Sequence, residues 1–326
     1  MGIKSFKFNS ICVFVCLIII ILLFDRSKVF SQANLSLIDK IKFKGKILAE
    51  KDISAIGFVG KYILLGADEG SKIQVLKPNK KRSKYRVDSN IELLVNESKS
   101  EVDIEGIAVG GNTVYVVGSH STNNETNLDK NSRKNVFRFK LNPDTGALES
   151  DVEKASLQAI LSQDKTLSRF TNMTHSDNGV DIEGIAVKNN QLYFGFRTPV
   201  LENNYVPIIV AEFEDLNRTD KYQLHRIDLG GNGIRDLVAV NNGFLILTDE
   251  TGNNGDDYRI YFWDGSDRSP QQNTSPTAEF LSDIPAKKNT RAEGLTIVRE
   301  TDSVYRILLV YDGVDEGNPT IFEIYK

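Results

Sequence analysis

Short runs of β-branched and aromatic residues, separated by polar turns rich in glycine and asparagine, follow one another along most of the chain. The eight letters VDIEGIAV occur twice, at residues 102–109 and 180–187. Three weaker copies align with them when the glutamate of the motif is the reference, and the five reference positions are Ser54, Glu105, Glu183, Asp236 and Glu293. Their separations of 51, 78, 53 and 57 residues indicate a protein built from repeated units.

Each repeat carries the pattern of several short β-strands. In every copy a second apolar run follows the motif, and these runs end at Asp68, His120, Arg197, Asp249 and Asp312. A third apolar run comes next, and some units show a fourth. Short apolar runs bounded by turn signals are typical of buried strands. Repetition of such units predicts an all-β fold, a five-bladed β-propeller.

The last unit is one strand short, because the chain ends 33 residues after Glu293. Residues 39–48 precede the first copy and belong to no unit, so we predict that they supply the outer strand of the last blade and close the ring. The long second interval contains residues 155–170, whose apolar spacing predicts a surface helix inserted near residues 152–172. A six-bladed ring, with a degenerate blade in this insertion, is the alternative.

The first strand of a propeller blade lines the central channel, and residues two apart share a face. The repeats should therefore bring carboxylates to one mouth of the channel, with Asp52 among them, Arg291 as counter-charge and Arg235 pointing away. Crowded carboxylates repel one another unless they protonate or bind a cation, and hard oxygen ligands favour Ca²⁺ or Mg²⁺. The predicted metal ligands are Asp103, Glu105, Asp181, Glu183, Asp236, Asp249 and Glu293. Hydrogen bonds from the backbone of the neighbouring blade to these carboxylates are the alternative explanation.

Two basic residues end second strands at the same predicted mouth. Arg197 could hold a phosphate or carboxylate and His120 could transfer a proton, so we predict them as a catalytic pair. Salt bridges with the acidic residues are the alternative role for both. His175, in the loop entering the third unit, could reach the same mouth.

The first 33 residues have the layout of a secretory signal peptide. Lys4 and Lys7 precede an apolar run at residues 11–24, and small residues follow at Ser31 and Ala33. The run is shorter than a typical membrane span, and an uncleaved anchor is the alternative. Both cysteines lie within it. We therefore expect a secreted or periplasmic monomer, a single propeller of residues 34–326 that is held together without disulfides.

The charge of the chain bears on its partners. The net charge is −4, and removal of residues 1–33, with four basic side chains and one acidic, leaves −7. This balance argues against nucleic acid as a partner. The dense basic run at residues 77–86 is interpreted as a solvated loop between strands. A small anionic ligand or substrate is expected, with no membrane contact after signal cleavage.

Several segments together resemble the bacterial family called domain of unknown function 3616. They are DIEGIAV, YFGFRTP, LGGNGIRDLVAV, LILTDETG, RAEGLTI and LLVYDG, and the resemblance covers most of the chain after about Asp52. It implies a propeller and no established activity. A more distant similarity is to phytase-like and esterase-like propellers and calcium-activated nucleotidases. By that similarity Glu105, Glu183, Asp236 and Glu293 would hold a cation, although Ser54 departs from the acidic pattern.

Two classes of function follow from these features. One is a divalent-metal-dependent hydrolase of phosphoesters, with its site at the loop-rich mouth of the channel. The other is a non-catalytic propeller that binds a ligand or a protein on the same face.

Overall fold

The computed structural model describes residues 35–94, 100–122, 131–250, 258–266, 278–285 and 289–326. The predicted signal peptide lies outside these ranges. Within them, none of the helices combines the length and the apolar character needed to cross a bilayer.

Five sheets follow one another along the chain, and the strands from the innermost one outward are antiparallel except for β2 (Lys42–Lys44), which is added in parallel to the first sheet. The innermost strands β3, β7, β11, β15 and β19, defined below, touch one another in a closed cycle, with the fifth returning to the first. The fold is therefore a five-bladed β-propeller, as predicted, and the six-bladed alternative is wrong.

The strands of each blade are given from the channel outward. The first blade consists of β3 (Ile53–Val59), β4 (Tyr62–Ala67), β5 (Lys72–Pro78), β6 (Lys84–Glu92) and β2 (Lys42–Lys44). The second consists of β7 (Ile104–Gly110), β8 (Thr113–Gly118), β9 (Val136–Lys140) and β10 (Glu153–Ala155). The third consists of β11 (Asp181–Lys188), β12 (Gln191–Thr198), β13 (Tyr205–Ala211) and β14 (Gln223–Asp228). The fourth consists of β15 (Asn232–Val240), β16 (Gly243–Glu250), β17 (Tyr258–Trp263) and β18 (Glu279–Ile284). The fifth consists of β19 (Arg291–Glu300), β20 (Val304–Asp312), β21 (Thr320–Tyr325) and β1 (Leu35–Lys40).

The hydrophobic core lies between adjacent blades, in four clusters that follow the ring. Because a central strand packs against a neighbouring blade on both faces, it is apolar throughout, and all six residues of β4 are buried. This explains why the second strands read as unbroken apolar runs in the sequence.

An N-terminal strand closes the ring, as predicted, but its position differs from the prediction. The closing strand is β1, which pairs antiparallel with β21 from Leu35↔Ile324 to Lys40↔Thr320. Most of the predicted segment 39–48 turns to the first blade, where β2 pairs parallel with β6. Phe43 is fully buried there, in the cluster between the fifth and first blades. The apolar residues at 41, 43 and 47 are therefore buried beside the first blade. The fifth blade is closed by β1, a strand with four exposed residues.

The insertion after the second blade contains one short α-helix, α1 (Gln158–Gln163), and a 3₁₀ turn at Ser168–Phe170. Ile160 and Leu161 of α1 are buried in the cluster that also holds β11 and β12. The predicted helix is thus shorter than residues 155–170 and packs into the core.

The basic run at residues 77–86, interpreted as a solvated loop between strands, is an exposed turn only at residues 79–83. Its two ends belong to β5 and β6, which pair through Lys77↔Arg86 and Pro78↔Tyr85. Tyr85 is buried, so a core-facing residue anchors the run while its cations remain outside.

Candidate functional site at the channel mouth

A β-bulge interrupts the innermost strand of every blade at the same place. The register skips one residue between Ile53 and Ala55, and correspondingly in the other four strands. The five skipped residues are Ser54, Glu105, Glu183, Arg235 and Glu293. A bulge inserts an unpaired residue and redirects its side chain. The repeated motif therefore marks a bulge that delivers one side chain per blade to the channel.

The glycine after the motif glutamate is explained by contact with the next blade. A Cβ atom at Gly106 would lie 2.8 Å from Cγ2 of Ile185, and one at Gly184 would lie 2.9 Å from Cγ2 of Ile234. Any larger residue would force the innermost strands apart. In the fourth blade Asp236 occupies the glycine position. Its carboxylate accepts hydrogen bonds from the backbone N–H of Leu237 at 2.7 Å and of Leu295 at 2.6 Å.

The predicted alignment of the fourth blade is wrong by one residue, because the bulge lies at Arg235 and not at Asp236. Arg235, predicted to point away, is the residue that enters the ring, and Asp236 instead joins the fourth blade to the fifth. Asp236 thus follows the alternative explanation, a backbone-bonded carboxylate. Burial raises its pKa well above the usual range, although the two N–H donors oppose this shift.

Arg235 is the centre of a buried cluster of ions. Its Nη1 donates to Glu183 Oε2 at 2.9 Å and to Glu293 Oε2 at 2.7 Å, and its Nε donates to Asp249 Oδ2 at 2.8 Å. Burial lowers the pKa of Arg235, but the carboxylates of Glu183, Glu293 and Asp249 outweigh burial and hold that pKa well above its ordinary value. Arg291, the predicted counter-charge, is 65% exposed and pairs with Asp312. The main counter-charge of the ring is therefore Arg235.

Arg197 lies at the mouth, as its place in the second-strand column predicts. Its Nη1 is 3.3 Å from Glu183 Oε1 and 3.6 Å from Asp181 Oδ2, and its Nε is 3.5 Å from Asp249 Oδ2. The alternative role, a salt bridge with the ring, thus describes its contacts. Its side chain nevertheless stays 29% exposed, so one surface of the guanidinium faces the mouth.

A third arginine at the mouth was missed from the sequence. Arg133, on the 3₁₀ turn Asn131–Arg133, lies 3.0 Å from Asp103 Oδ2 through Nη1. Asp103 also accepts a 2.5 Å hydrogen bond from Ser119 Oγ. No periodic pattern marks Arg133, because it comes from a loop.

Asp52 precedes the first blade as Asp103 precedes the second, and the backbone carbonyl of Asp52 accepts a hydrogen bond from the N–H of Asp68.

His120 does not share the column of Arg197, contrary to the prediction. Gly118 pairs with Ile104, so Ser119 is the residue equivalent to Arg197, and His120 follows with a left-handed backbone, φ 55°. Its imidazole is buried, with Nδ1 2.8 Å from the carbonyl of Gly118 and Nε2 accepting the N–H of Leu157 at 3.3 Å. Burial lowers the pKa of His120 to about 4. These contacts suit a neutral, structural histidine.

His175 begins the 3₁₀ turn His175–Asp177 beside the acidic ring. Partial burial and the nearby Arg197 lower the pKa of His175, whereas Glu183 and Asp103 oppose this shift. The imidazole at the mouth is therefore that of His175.

Asp68 and Glu105, which belong to the first two blades, are the carboxylates with the least positive charge nearby. Burial raises the pKa of Glu105 well above its ordinary value, and Glu183, Asp103, Asp68 and Asp181 raise it further. Burial and nearby carboxylates likewise raise the pKa of Asp68 to about 7, and Asp68 Oδ1 has no hydrogen-bond partner in the described part of the chain. Burial raises the pKa of Glu293 to about 8 and that of Asp181 well above its usual range.

The two ends of the channel differ in chemistry. Beyond the bulges, a cavity of about 180 Å³ is lined mainly by apolar residues of the innermost strands, such as Ile107, Ile185 and Leu237. Charge is thus concentrated at one mouth. Within the described ranges, no three acidic or histidine side chains are arranged as a ready-made metal site.

The chain is similar to a protein-family model and, at low sequence identity, to solved structures. No curated protein matches the chain. Among solved structures, Kluyveromyces lactis Hsv2 is similar over 82% of this chain and 67% of its own, with 10% identity and a TM-score of 0.35. The WD40 β-propeller domain of Doa1 is similar over 88% of this chain and 70% of its own, with 9% identity and a TM-score of 0.37.

A family model matches residues 52–142 and 141–319, which together span all five innermost strands. The chain therefore belongs to the family described as "Protein of unknown function (DUF3616)".

Proposed function

We propose that this chain is exported and that its channel mouth binds a hard divalent cation, Ca²⁺ or Mg²⁺. The observation that carries the proposal is the environment of Glu105. Its carboxyl is surrounded by the carboxyls of Asp68, Asp103, Asp181 and Glu183, and no cationic partner of Glu105 lies among the described residues. Glu105 is half-buried, and a carboxylate among other carboxylates must either keep its proton or meet a cation.

The charges divide the mouth into two sides. On the side of blades three to five, Glu183, Asp249 and Glu293 share the single positive charge of Arg235, and Arg197 adds a second cation beside Glu183 and Asp249. On the side of the first three blades, Asp68, Glu105 and Asp181 carry more negative charge than Arg197 can offset. These three side chains offer hard oxygen donors without competing soft or nitrogen ligands, which suits Ca²⁺ or Mg²⁺. The proposal therefore rests on an imbalance of charge at this side of the mouth.

Glu105→Gln is expected to change stability in opposite directions with and without the metal. In chelator at pH 8 the free energy of unfolding of the variant should exceed that of the wild type by about 1 to 3 kcal/mol, because a half-buried charge that repels its neighbours is removed. With calcium at roughly 100 times the dissociation constant, the wild type should gain about 2.7 kcal/mol, and the variant should gain much less. Urea unfolding in chelator and in calcium measures both effects.

The pH dependence provides a second measurement on the same samples. The folded-state pKa values of Glu105, Asp68 and Glu293 are raised, so the native state binds protons that the unfolded chain releases. In chelator, stability should be greatest near pH 4 and fall as pH rises towards 8. Glu279→Gln, on the exposed face of the outer strand β18, is the control and should alter neither result. If calorimetry detects no binding of Ca²⁺ or Mg²⁺ at millimolar concentration, the proposal is wrong.

A second candidate function, metal-dependent hydrolysis of a phosphoester, is favoured by Arg197. Its guanidinium is partly exposed beside the uncompensated carboxylates, and its buried Nε donates no hydrogen bond within the described residues. It could therefore bind an oxygen of an anionic substrate whose other oxygens contact the cation. His175 would then be the candidate proton donor, since the ring nitrogens of His120 are both engaged by backbone groups.

Variants of the two histidines and of Arg197 test this candidate. In a screen of phosphoesters with calcium, Arg197→Lys should weaken substrate binding, and His175→Gln should lower turnover by roughly 10²-fold or more. His120→Ala should mainly reduce stability, by about 1 to 3 kcal/mol, because the N–H of Leu157 loses its acceptor. Full activity in both Arg197→Lys and His175→Gln would exclude these roles. Loss of activity in His120→Ala without loss of stability would restore the original catalytic pair.

A further inference from the structure

At the outer edge of the first blade, positively charged side chains lie beside one another on neighbouring strands. In the parallel pair of β2 and β6, Lys42 lies opposite Lys84 and Lys44 lies opposite Arg86. In the antiparallel pair of β6 and β5, Arg86 also lies opposite Lys77. Cross-strand neighbours share a face, so Lys44, Arg86 and Lys77 form a row across three strands. Like charges in directly opposite positions are destabilising, so the fold alone does not account for this row.

These five cations, which we call the basic edge, are scarcely neutralised. Lys44 lies 3.7 Å from Glu316, and the other four make no salt bridge to the described residues. The turn between β5 and β6 adds three exposed cations at residues 80–82. A groove of about 320 Å³ is lined by four cations, with Pro78 and Val87 as its apolar part and Asp88 as its acidic residue; the cations are Lys44, Lys77, Lys84 and Arg86. A concentration of positive charge on a chain with net charge −4 indicates a local anionic partner.

Exposed apolar side chains flank the basic edge on the rim of the propeller. Leu37 and Ile38, on β1, are 60% and 43% exposed and lie within five residues of Lys42. Phe280, on the neighbouring outer strand β18, is 38% exposed. Four residues of chain reach at most about 14 Å, so β1 and the basic edge are adjacent. Exposed apolar residues beside a cluster of cations are the combination that binds the interface of an anionic bilayer.

We propose that the basic edge and the exposed residues of β1 form a surface that docks side-on to a membrane containing anionic phospholipids. The lipid phosphates would contact Lys44, Lys77, Lys84 and Arg86, and Leu37 and Ile38 would enter the interfacial region. An extended nucleic acid is a poorer partner, because the acidic mouth and the negative net charge would repel most of it.

Vesicle binding by residues 34–326, which contain all five blades and the closing strand, tests the proposal without the apolar run. Sedimentation with vesicles of phosphatidylglycerol and phosphatidylcholine is compared with sedimentation with phosphatidylcholine alone. Each cation near an anionic surface contributes about fivefold to binding, so Lys44→Gln, Lys77→Gln and Arg86→Gln together should weaken binding roughly 100-fold. Because the row is self-repelling, the triple variant should be at least as stable as the wild type.

The control removes the same charge elsewhere, through Lys154→Gln, Lys165→Gln and Lys221→Gln, which are all exposed. It should bind the anionic vesicles as the wild type does, and Leu37→Asn with Ile38→Asn should weaken binding at constant charge. Absence of binding to the anionic vesicles, or equal loss in the triple variant and its control, overturns the proposal. Release of the protein by millimolar inorganic phosphate also overturns it, since the groove would then bind a free phosphate and not a bilayer.

Discussion

Arg235→Met is expected to lower the free energy of unfolding by about 3 to 5 kcal/mol at pH 8, because three buried carboxylates lose the guanidinium that bonds to all of them. The loss should shrink as pH falls towards 5, where the raised pKa of Glu293 lets that carboxyl keep its proton. Urea unfolding at the two pH values measures both effects.

Arg291→Met is the matched control for this prediction. Arg291 pairs with Asp312 at the same mouth but is 65% exposed, so its loss should cost less than about 1 kcal/mol. Combining Arg235→Met with Glu293→Gln should recover part of the stability, since a neutral amide tolerates burial without a counter-charge. Equal effects of the two arginine substitutions would show that the buried cluster is not the main neutralising group.

Phe43→Ala is expected to cost about 3 to 5 kcal/mol of stability, as large-to-small changes of buried aromatic residues do. Phe43 is fully buried between the fifth and first blades, with Ile41 and Ile47 beside it. The residue therefore joins the beginning of the chain to the ring, although β2 has only three residues. The midpoint of urea unfolding and its slope measure the effect.

Leu37→Ala, six residues earlier on the closing strand, is the control and should change stability by less than about 0.5 kcal/mol, because Leu37 is 60% exposed. Two deletions separate the roles of the segments. Removing residues 35–40 takes away the backbone pairing of β1 with β21, and removing residues 35–48 also takes away the buried residues 41, 43 and 47. The longer deletion should be much more damaging. Equal stability of the two would mean that β2 contributes nothing to closure.

The candidate site was partly predictable from the motif. Glu105 and Glu183 were placed correctly because both copies carry the same eight letters and their strands bulge alike. The fourth copy, IRDLV, lacks the glycine, and alignment by acidic character chose Asp236 in place of Arg235. Strict alternation along a strand fails at a bulge, because one residue is added without a partner. Alignment by chemical character likewise put His120 in a column that belongs to Ser119, although β8 itself has no bulge.

The sequence by itself determined the repeat, the number of blades, the closure by an N-terminal strand and the meeting of acidic side chains at one mouth. These features follow from apolar periodicity and from spacing, which are properties of the chain read in order. Only the tertiary structure decided which charges neutralise one another. Arg133, Arg197 and Arg235 come from a loop, a second strand and a bulge of three different blades, and they meet the carboxylates because the ring brings these blades together. The basic edge arose in the same way, since β2 and β6 are about 40 residues apart in the chain and become neighbours only when the first blade folds.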